Sequence, residues 1–209
     1  MPSRNSKKTY DAPAYYHVYN RGVDRRIIFH DEIDYNFFIS LLKRYLDQPS
    51  LDKNGREYEW LGGDIEVVAY CLMPNHFHMM IYQTDPEAMT KLLRAVSGSY
   101  TVYYNKKYDR SGTLFQGVYR ASCIGNEAYF LHITRYIHLN PKHPYDYSWS
   151  SLKEYLGVRK QNWVHFDRVL RPSPEDHKRY EIFVRDWKAD SHNNNDSEMK
   201  HLRELLADH

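Results

Sequence analysis

Two histidines one residue apart, His76 and His78, follow a Pro74-Asn75 pair that separates two apolar runs, Val67 to Met73 and Phe77 to Ile81. The pattern predicts a hairpin whose second strand opens with the histidines. Side chains two apart on a strand share a face, so both imidazoles project together while Phe77 turns to the core. Neutral imidazole is the commonest metal ligand, and the pair makes half of a metal site. Two histidines satisfied by neighbours at a strand end would read the same way.

A second segment, Asn126 to Pro141, reads as a short helix. Asn126 is a good N-cap, Glu127 suits the positive end of the helix dipole, and Pro141 forces a stop. Phe130, Ile133, Thr134 and Ile137 form the stripe that would be buried. The opposite stripe carries Tyr129, His132, Tyr136 and Asn140, so a phenol, an imidazole and an amide line one face. A face that only needed solvating would more often carry Lys and Glu. With 20 tyrosines in the chain, an aromatic packing face is the plain alternative.

The elements that must position these residues follow in order. Tyr15 to Asn20 alternates as a strand, and Arg21 to Phe29 continues it through a turn at Gly22. Residues 31–47 form an amphipathic helix with Phe37, Phe38, Leu41, Leu42 and Tyr45 on one side. Strands at 64–72 and 76–83 make the hairpin. A long helix at 86–107 turns Met89, Leu92, Leu93, Val96, Tyr100 and Tyr103 inward, and residues 118–124 return to strand. Strand, helix, strand, strand, helix, strand, followed by the Tyr136 helix, fits an α+β ferredoxin-like fold. Its antiparallel sheet has helices on one face, and the other face is open for a ligand and the tyrosine helix. Short helices are expected at 148–156 and 174–188.

The chain divides on this reading into a basic arm (1–12), a main domain (13–157), a helical extension (158–190), and a polar linker with a small amphipathic helix bearing Met199, Leu202, Leu205 and Leu206 (191–209). Net charge is +2, from 29 Lys and Arg against 27 Asp and Glu. That balance does not announce nucleic-acid binding, so any such argument rests on local clusters. Cys71 and Cys123 both fall in expected strands and read as small buried residues of a reducing compartment. No apolar run reaches membrane-spanning length and the N-terminus lacks a secretory core, so cytoplasmic is the expected location.

Taken together, the motifs resemble the single-tyrosine HUH transposases, and within them the REP-associated tyrosine transposases. Five stretches carry the likeness in order: Tyr16-His17-Val18-Tyr19-Asn20-Arg21-Gly22, Met73-Pro74-Asn75-His76-Phe77-His78, Gly112-Thr113-Leu114-Phe115-Gln116-Gly117, Tyr136-Ile137-His138-Leu139-Asn140-Pro141 and Tyr147-Ser148-Trp149-Ser150-Ser151. They span roughly residues 12–156. Relatives often place an Arg after the Gln-Gly pair, where this chain has Val118.

The resemblance implies a metal-dependent single-stranded DNA endonuclease and strand-transferase, acting through a covalent 5′-phosphotyrosine intermediate on DNA hairpins of the REP-palindrome type. It implies Tyr136 as nucleophile and His76, His78 and Asn140 as ligands of a divalent cation, Mg²⁺ or Mn²⁺. His132, one turn before Tyr136, is the candidate base. A three-histidine zinc site from His17, His76 and His78 is the alternative metal set, and a non-cleaving hairpin-binding protein of the same fold is the alternative function. Candidate DNA contacts are Arg21, Arg25 and Arg26 near the first strand, Lys91 and Arg94 on the long helix, and Arg110 and Arg120 near the fourth strand, with tyrosines as stacking surfaces for unpaired bases. Monomer and homodimer both remain open.

Overall fold

The hairpin that carries the two histidines is clamped at its tip by the segment that follows the first strand. In the computed structural model, which describes residues 10–186, β2 (Ile65–Met73) and β3 (His76–Gln83) meet at the Pro74-Asn75 turn, with Met73 opposite His76. The Pro74 carbonyl accepts from the Ile28 and Phe29 amides (2.7 and 3.0 Å), and the Asn75 carbonyl accepts from Gly22 (2.8 Å). Gly22 is required there: a Cβ would lie 2.4 Å from the Arg26 carbonyl oxygen. Instead of continuing β1 (Ala14–Arg21), the chain makes a 3₁₀ turn at Val23–Arg25, with Asp24 and Arg25 at φ 55° and 57°. Three hydrogen bonds to the hairpin tip outweigh the local preference for extension.

The remaining elements are α1 (Glu32–Leu46), α2 (Ala88–Lys107), β4 (Arg120–Cys123), α3 (Ala128–His138), α4 (Leu152–Tyr155) and α5 (Pro174–Arg185). The four strands form one antiparallel sheet in the order β2-β3-β1-β4. With α1 and α2 in the crossovers, the chain follows the β-α-β-β-α-β course. A bulge at Val67/Ala69 gives β2 an extra residue. Val67 and Tyr70 face α1 and α2, whereas Val68 and Ala69 both face α3. Bulges of this kind bend a strand and sharpen its twist.

Both faces of the sheet are covered: α3, the tyrosine helix, lies on the face opposite α1 and α2, and α4 and α5 join it there, which the sequence reading does not foresee. Phe38, Leu41 and Leu42 of α1 and Met89, Leu92, Val96 and Tyr100 of α2 bury against Tyr16, Val18, Phe77, Met79 and Ile81 on one side. Phe130, Ile133 and Ile137 of α3 join Leu152, Tyr155, Tyr180 and Val184 of α4 and α5 on the other, over Val68, Cys71 and Met80. Each such side chain contributes about 1.5–3 kcal/mol by leaving water. The 158–186 segment packs on the sheet domain: Trp163 stacks on Tyr70 at 5.1 Å, and buried Glu154 pairs with Arg159.

α3 differs from expectation at both ends. Glu127, not Asn126, sits at its start, and it gives no side-chain cap. The helix ends at His138, so Asn140 lies just beyond it in the turn before Pro141. His138 anchors that end: its ring nitrogens pair with the Tyr180 hydroxyl and with Ser151 Oγ, both at 2.8 Å. Complete burial lowers its pKa to about 3, so the ring is neutral. Cys71 is buried as expected, but Cys123 is exposed on the edge strand. Residues 1–9 of the expected arm, and the linker and tail helix beyond 186, lie outside the described residues.

Candidate active site

Register places His17, Tyr19, His76 and His78 on the α3 face of the sheet. β1 and β3 pair with Tyr19 opposite His78 and Arg21 opposite His76. Alternation sends Phe77 and Met79 into the α1–α2 core, and His76 and His78 to the other side, beside His17 and Tyr19 of β1. The rings of His76 and His78 lie 5.0 Å apart, nearly perpendicular. His78 and His17 are buried, with parallel rings and one hydrogen bond, His17 Nε2 to His78 Nδ1 at 3.0 Å. Tyr136 descends from α3 onto this cluster: its ring stands edge-on to His78 at 5.5 Å and to His17 at 6.0 Å.

Each of the two hairpin histidines has its Nδ1 engaged. His76 Nδ1 meets Asn75 Oδ1 at 2.6 Å, and the Asn75 amide donates in turn to the Arg25 carbonyl at 3.4 Å. Asn140 Nδ2 donates to the Tyr136 carbonyl (3.1 Å), which turns its Oδ1 toward His76 Nε2, 3.4 Å away. With Nδ1 of His76 protonated toward Asn75, that Nε2 and Oδ1 meet as two lone pairs. A cation relieves such a meeting, so this donor set fits a metal. Among the described residues, no three His, Cys, Asp or Glu side chains gather as a metal-binding group. The three-histidine set is therefore not formed; His17 bonds to His78 instead of converging with it.

Burial raises the Tyr136 phenol above its ordinary pKa of about 10; hydrogen bonding with Asn140 opposes the rise, and Tyr19 adds to it. The phenol is therefore protonated at neutral pH. His132 is turned toward α5: its ring packs edge-on against Phe183 at 5.5 Å, and its Nδ1 accepts from the Arg135 guanidinium at 3.2 Å.

The candidate cations divide by face. Arg21 bonds Gln116 through Nε, and Arg120 reaches the Tyr19 hydroxyl at 3.5 Å, which puts both beside the histidines. Arg25 is exposed in the strained turn below the hairpin tip, and Arg26 donates to the Val23 carbonyl at 3.2 Å. Lys91 and Arg94 sit on α2, behind the sheet; Lys91 pairs with Glu59 at 3.2 Å. Arg110 is held by Asn105 Oδ1 and the Thr113 carbonyl. Asn75, which bonds His76, and Tyr19, whose ring packs against His78 at 5.7 Å, were not singled out from sequence. Tyr19 was in view, two residues past His17 on an alternating strand, whereas the Asn75 contact appears only once the turn is folded.

Residues 59–140, from before β2 through Asn140, match the sequence model of the IS200-like transposases. No curated protein matches the chain. Among solved structures, a REP-associated tyrosine transposase bound to a REP hairpin superposes with a TM-score of 0.55 at 16% identity, covering 78% of this chain and 92% of that one. A second, described as a candidate transposase from Deinococcus radiodurans R1, gives a TM-score of 0.39 at 17% identity, covering 66% and 95%. The first likeness shows a shared α+β fold with a four-stranded antiparallel sheet, and the segment that bears both histidines and the tyrosine is the part of the chain that matches the IS200-like transposase model.

Proposed function

We propose that the protein cuts and rejoins single-stranded DNA with Tyr136 as nucleophile, on strands that carry a hairpin. The observation that carries this reading is the approach of the Tyr136 ring to His78 and His17, with Asn140 spanning the Tyr136 backbone and His76 Nε2. The phenolic oxygen attacks a phosphodiester phosphorus and the bond from phosphorus to the 3′ oxygen breaks. That oxygen takes up a proton to leave a free 3′-hydroxyl, and the 5′ phosphate stays on Tyr136. The phosphoester is conserved in the link, so a second 3′-hydroxyl can reverse the step and join a new end.

His76, His78 and Asn140 would hold Mg²⁺ or Mn²⁺; two imidazoles favour Mn²⁺, while Mg²⁺ leans toward carboxylate and water. When bound, the cation supplies Lewis acidity toward a non-bridging phosphate oxygen. Asn75 and His17 keep the two Nδ1 positions occupied, which leaves both Nε2 atoms to serve as ligands. Arg21 and Arg120 lie beside the histidines and would seat the strand through its phosphates. The hairpin partner is inferred from the similarly folded transposase bound to a REP hairpin. His132, turned to α5, is assigned to positioning Arg135 in preference to the base role.

Incubation with hairpin-bearing single-stranded DNA and Mn²⁺ tests the reading. A protein–DNA adduct that survives denaturation, and that Tyr136→Phe loses while still binding DNA, is expected. Binding without any wild-type adduct would leave a non-cleaving hairpin binder.

A further inference from the structure

On the side of the sheet away from the histidines, a cavity of about 450 Å³ opens between α2 and the segment that leads into β4. One wall is α2, where Arg94, Ser97 and Thr101 recur at helical spacing around Gly98. A Cβ on Gly98 would meet nothing within 4 Å, so its bare backbone leaves space for an occupant. The facing wall is apolar, with Phe115 buried and Val118 69% exposed at the rim. Nothing in the hydrophobic core accounts for an exposed valine at that place.

The wall is continuous with the candidate active site. Gln116 N bonds the Arg21 carbonyl at 2.8 Å, and Asn20 Nδ2 bonds the Gly117 carbonyl at 3.3 Å. Arg21 pairs opposite His76 in the sheet, while Asn20, one residue earlier, lines the cavity. A strand seated on Arg21 and Arg120 therefore needs only to round the β4 edge to enter. The volume suits a single small ligand; enclosed ligands occupy about 300–1,000 Å³. Among the described residues no carboxylate lines the cavity, which disfavours a cationic ligand, and Arg94 is the one cation among them that does. Apolar walls, neutral hydroxyls and one exposed guanidinium match a flat heteroaromatic ring attached to a phosphate.

We propose that this cavity holds one unpaired nucleobase of the DNA strand being cut, with Arg94 against that nucleotide's phosphate. The proposal rests on the strand-cleavage reading and names a subsite for it.

Photocrosslinking decides it. A pool of random single-stranded 5-iododeoxyuridine-substituted oligonucleotides is irradiated on the full-length protein, and the crosslinked peptides are mapped by mass spectrometry. A crosslink within the stretch holding Phe115 and Tyr119 is expected, and Gly98→Leu, which fills the space, lowers it about tenfold relative to crosslinks elsewhere, the scale of one lost base stack. Val118→Asp, at an exposed position that the core does not need, lowers it as well and covers the case in which Gly98→Leu fails to fold. Crosslinks confined to other surfaces, or a cavity crosslink indifferent to both variants, overturn the proposal. So does loss of the cavity crosslink to millimolar thymidine monophosphate with the Tyr136 adduct intact, which would make it a site for free nucleotide. A cavity crosslink without any Tyr136 adduct upholds the base site and removes the cleavage reading instead.

Discussion

Asn75 and His17 matter at the residue scale because an imidazole can offer a metal only one nitrogen at a time. His76 is engaged at Nδ1 by Asn75, and His78 at Nδ1 by His17. Losing either partner frees a ring to rotate or to change tautomer. His17→Phe keeps the ring volume and removes the nitrogen; Asn75→Ala removes the amide. Each is expected to weaken Mn²⁺ binding about 10- to 100-fold, read by electron paramagnetic resonance titration, with the far-ultraviolet spectrum unchanged. Unaltered affinity in both would show that these contacts do not aim the ligands. His76, His78 and Tyr136 were legible as candidates because spacing on a strand and on a helix is local. The contact between His17 and His78 was not, since it depends on the register of strands 61 residues apart. For His132, helical spacing puts it near Tyr136, and only the packing of α5 shows that it also meets Phe183.

At the scale of elements, the face of the sheet opposite the histidines is held by a buried charge between α1 and α2. Asp34 is fully buried, accepts from Lys107 Nζ at 2.7 Å, and also accepts from the Tyr103 and Tyr108 hydroxyls and the His30 amide. Burial alone would raise its pKa, but these four donors, Lys107 foremost, hold it below the ordinary value. The folded state thus favours the carboxylate. This contribution is complete above the unfolded value of about 3.9 and is lost as pH falls from there through the lower folded pKa. Asp34→Asn is expected to cost about 3 kcal/mol near neutrality in urea unfolding and to flatten the decline of stability in acid. An unchanged midpoint would mean that Lys107 is satisfied by Asp31 alone. Gly22→Ala is expected to cost about 2–3 kcal/mol, since its methyl would meet the Arg26 carbonyl under the hairpin tip. The long helices and all four strands were legible from their apolar spacing and alternation. The turn at Val23–Arg25, the start of α3 and the exposure of Cys123 were not, because hydrogen bonds from distant segments and an edge position decide them.

For the whole molecule, the sheet separates two surfaces: on one side the histidines and the tyrosine, under α3, α4 and α5; on the other α1, α2 and the cavity. The order of elements foretold the sheet, whereas the covering of both faces needed the contacts of the 158–186 segment, whose apolar residues are scattered and short-spaced. No helix among the described residues is long and apolar enough to cross a membrane. On the proposed reading, a near-neutral chain gathers strand phosphates with a few cations, so salt dependence reports which ones. Arg25→Ala and Arg120→Ala are each expected to lower the slope of log affinity for single-stranded DNA against log salt by about 0.7, while Lys91→Ala, already paired with Glu59, leaves it unchanged. An equal effect from Lys91→Ala would carry the strand's phosphates along α2 beyond Arg94. The central claim is that a cation and the phenol meet between α3 and the hairpin. Anomalous diffraction from crystals soaked in Mn²⁺ tests it most directly. A peak within about 2.5 Å of His76 Nε2, His78 Nε2 and Asn140 Oδ1 is the predicted result; a peak bound elsewhere, or none at those three atoms in millimolar Mn²⁺, would contradict it.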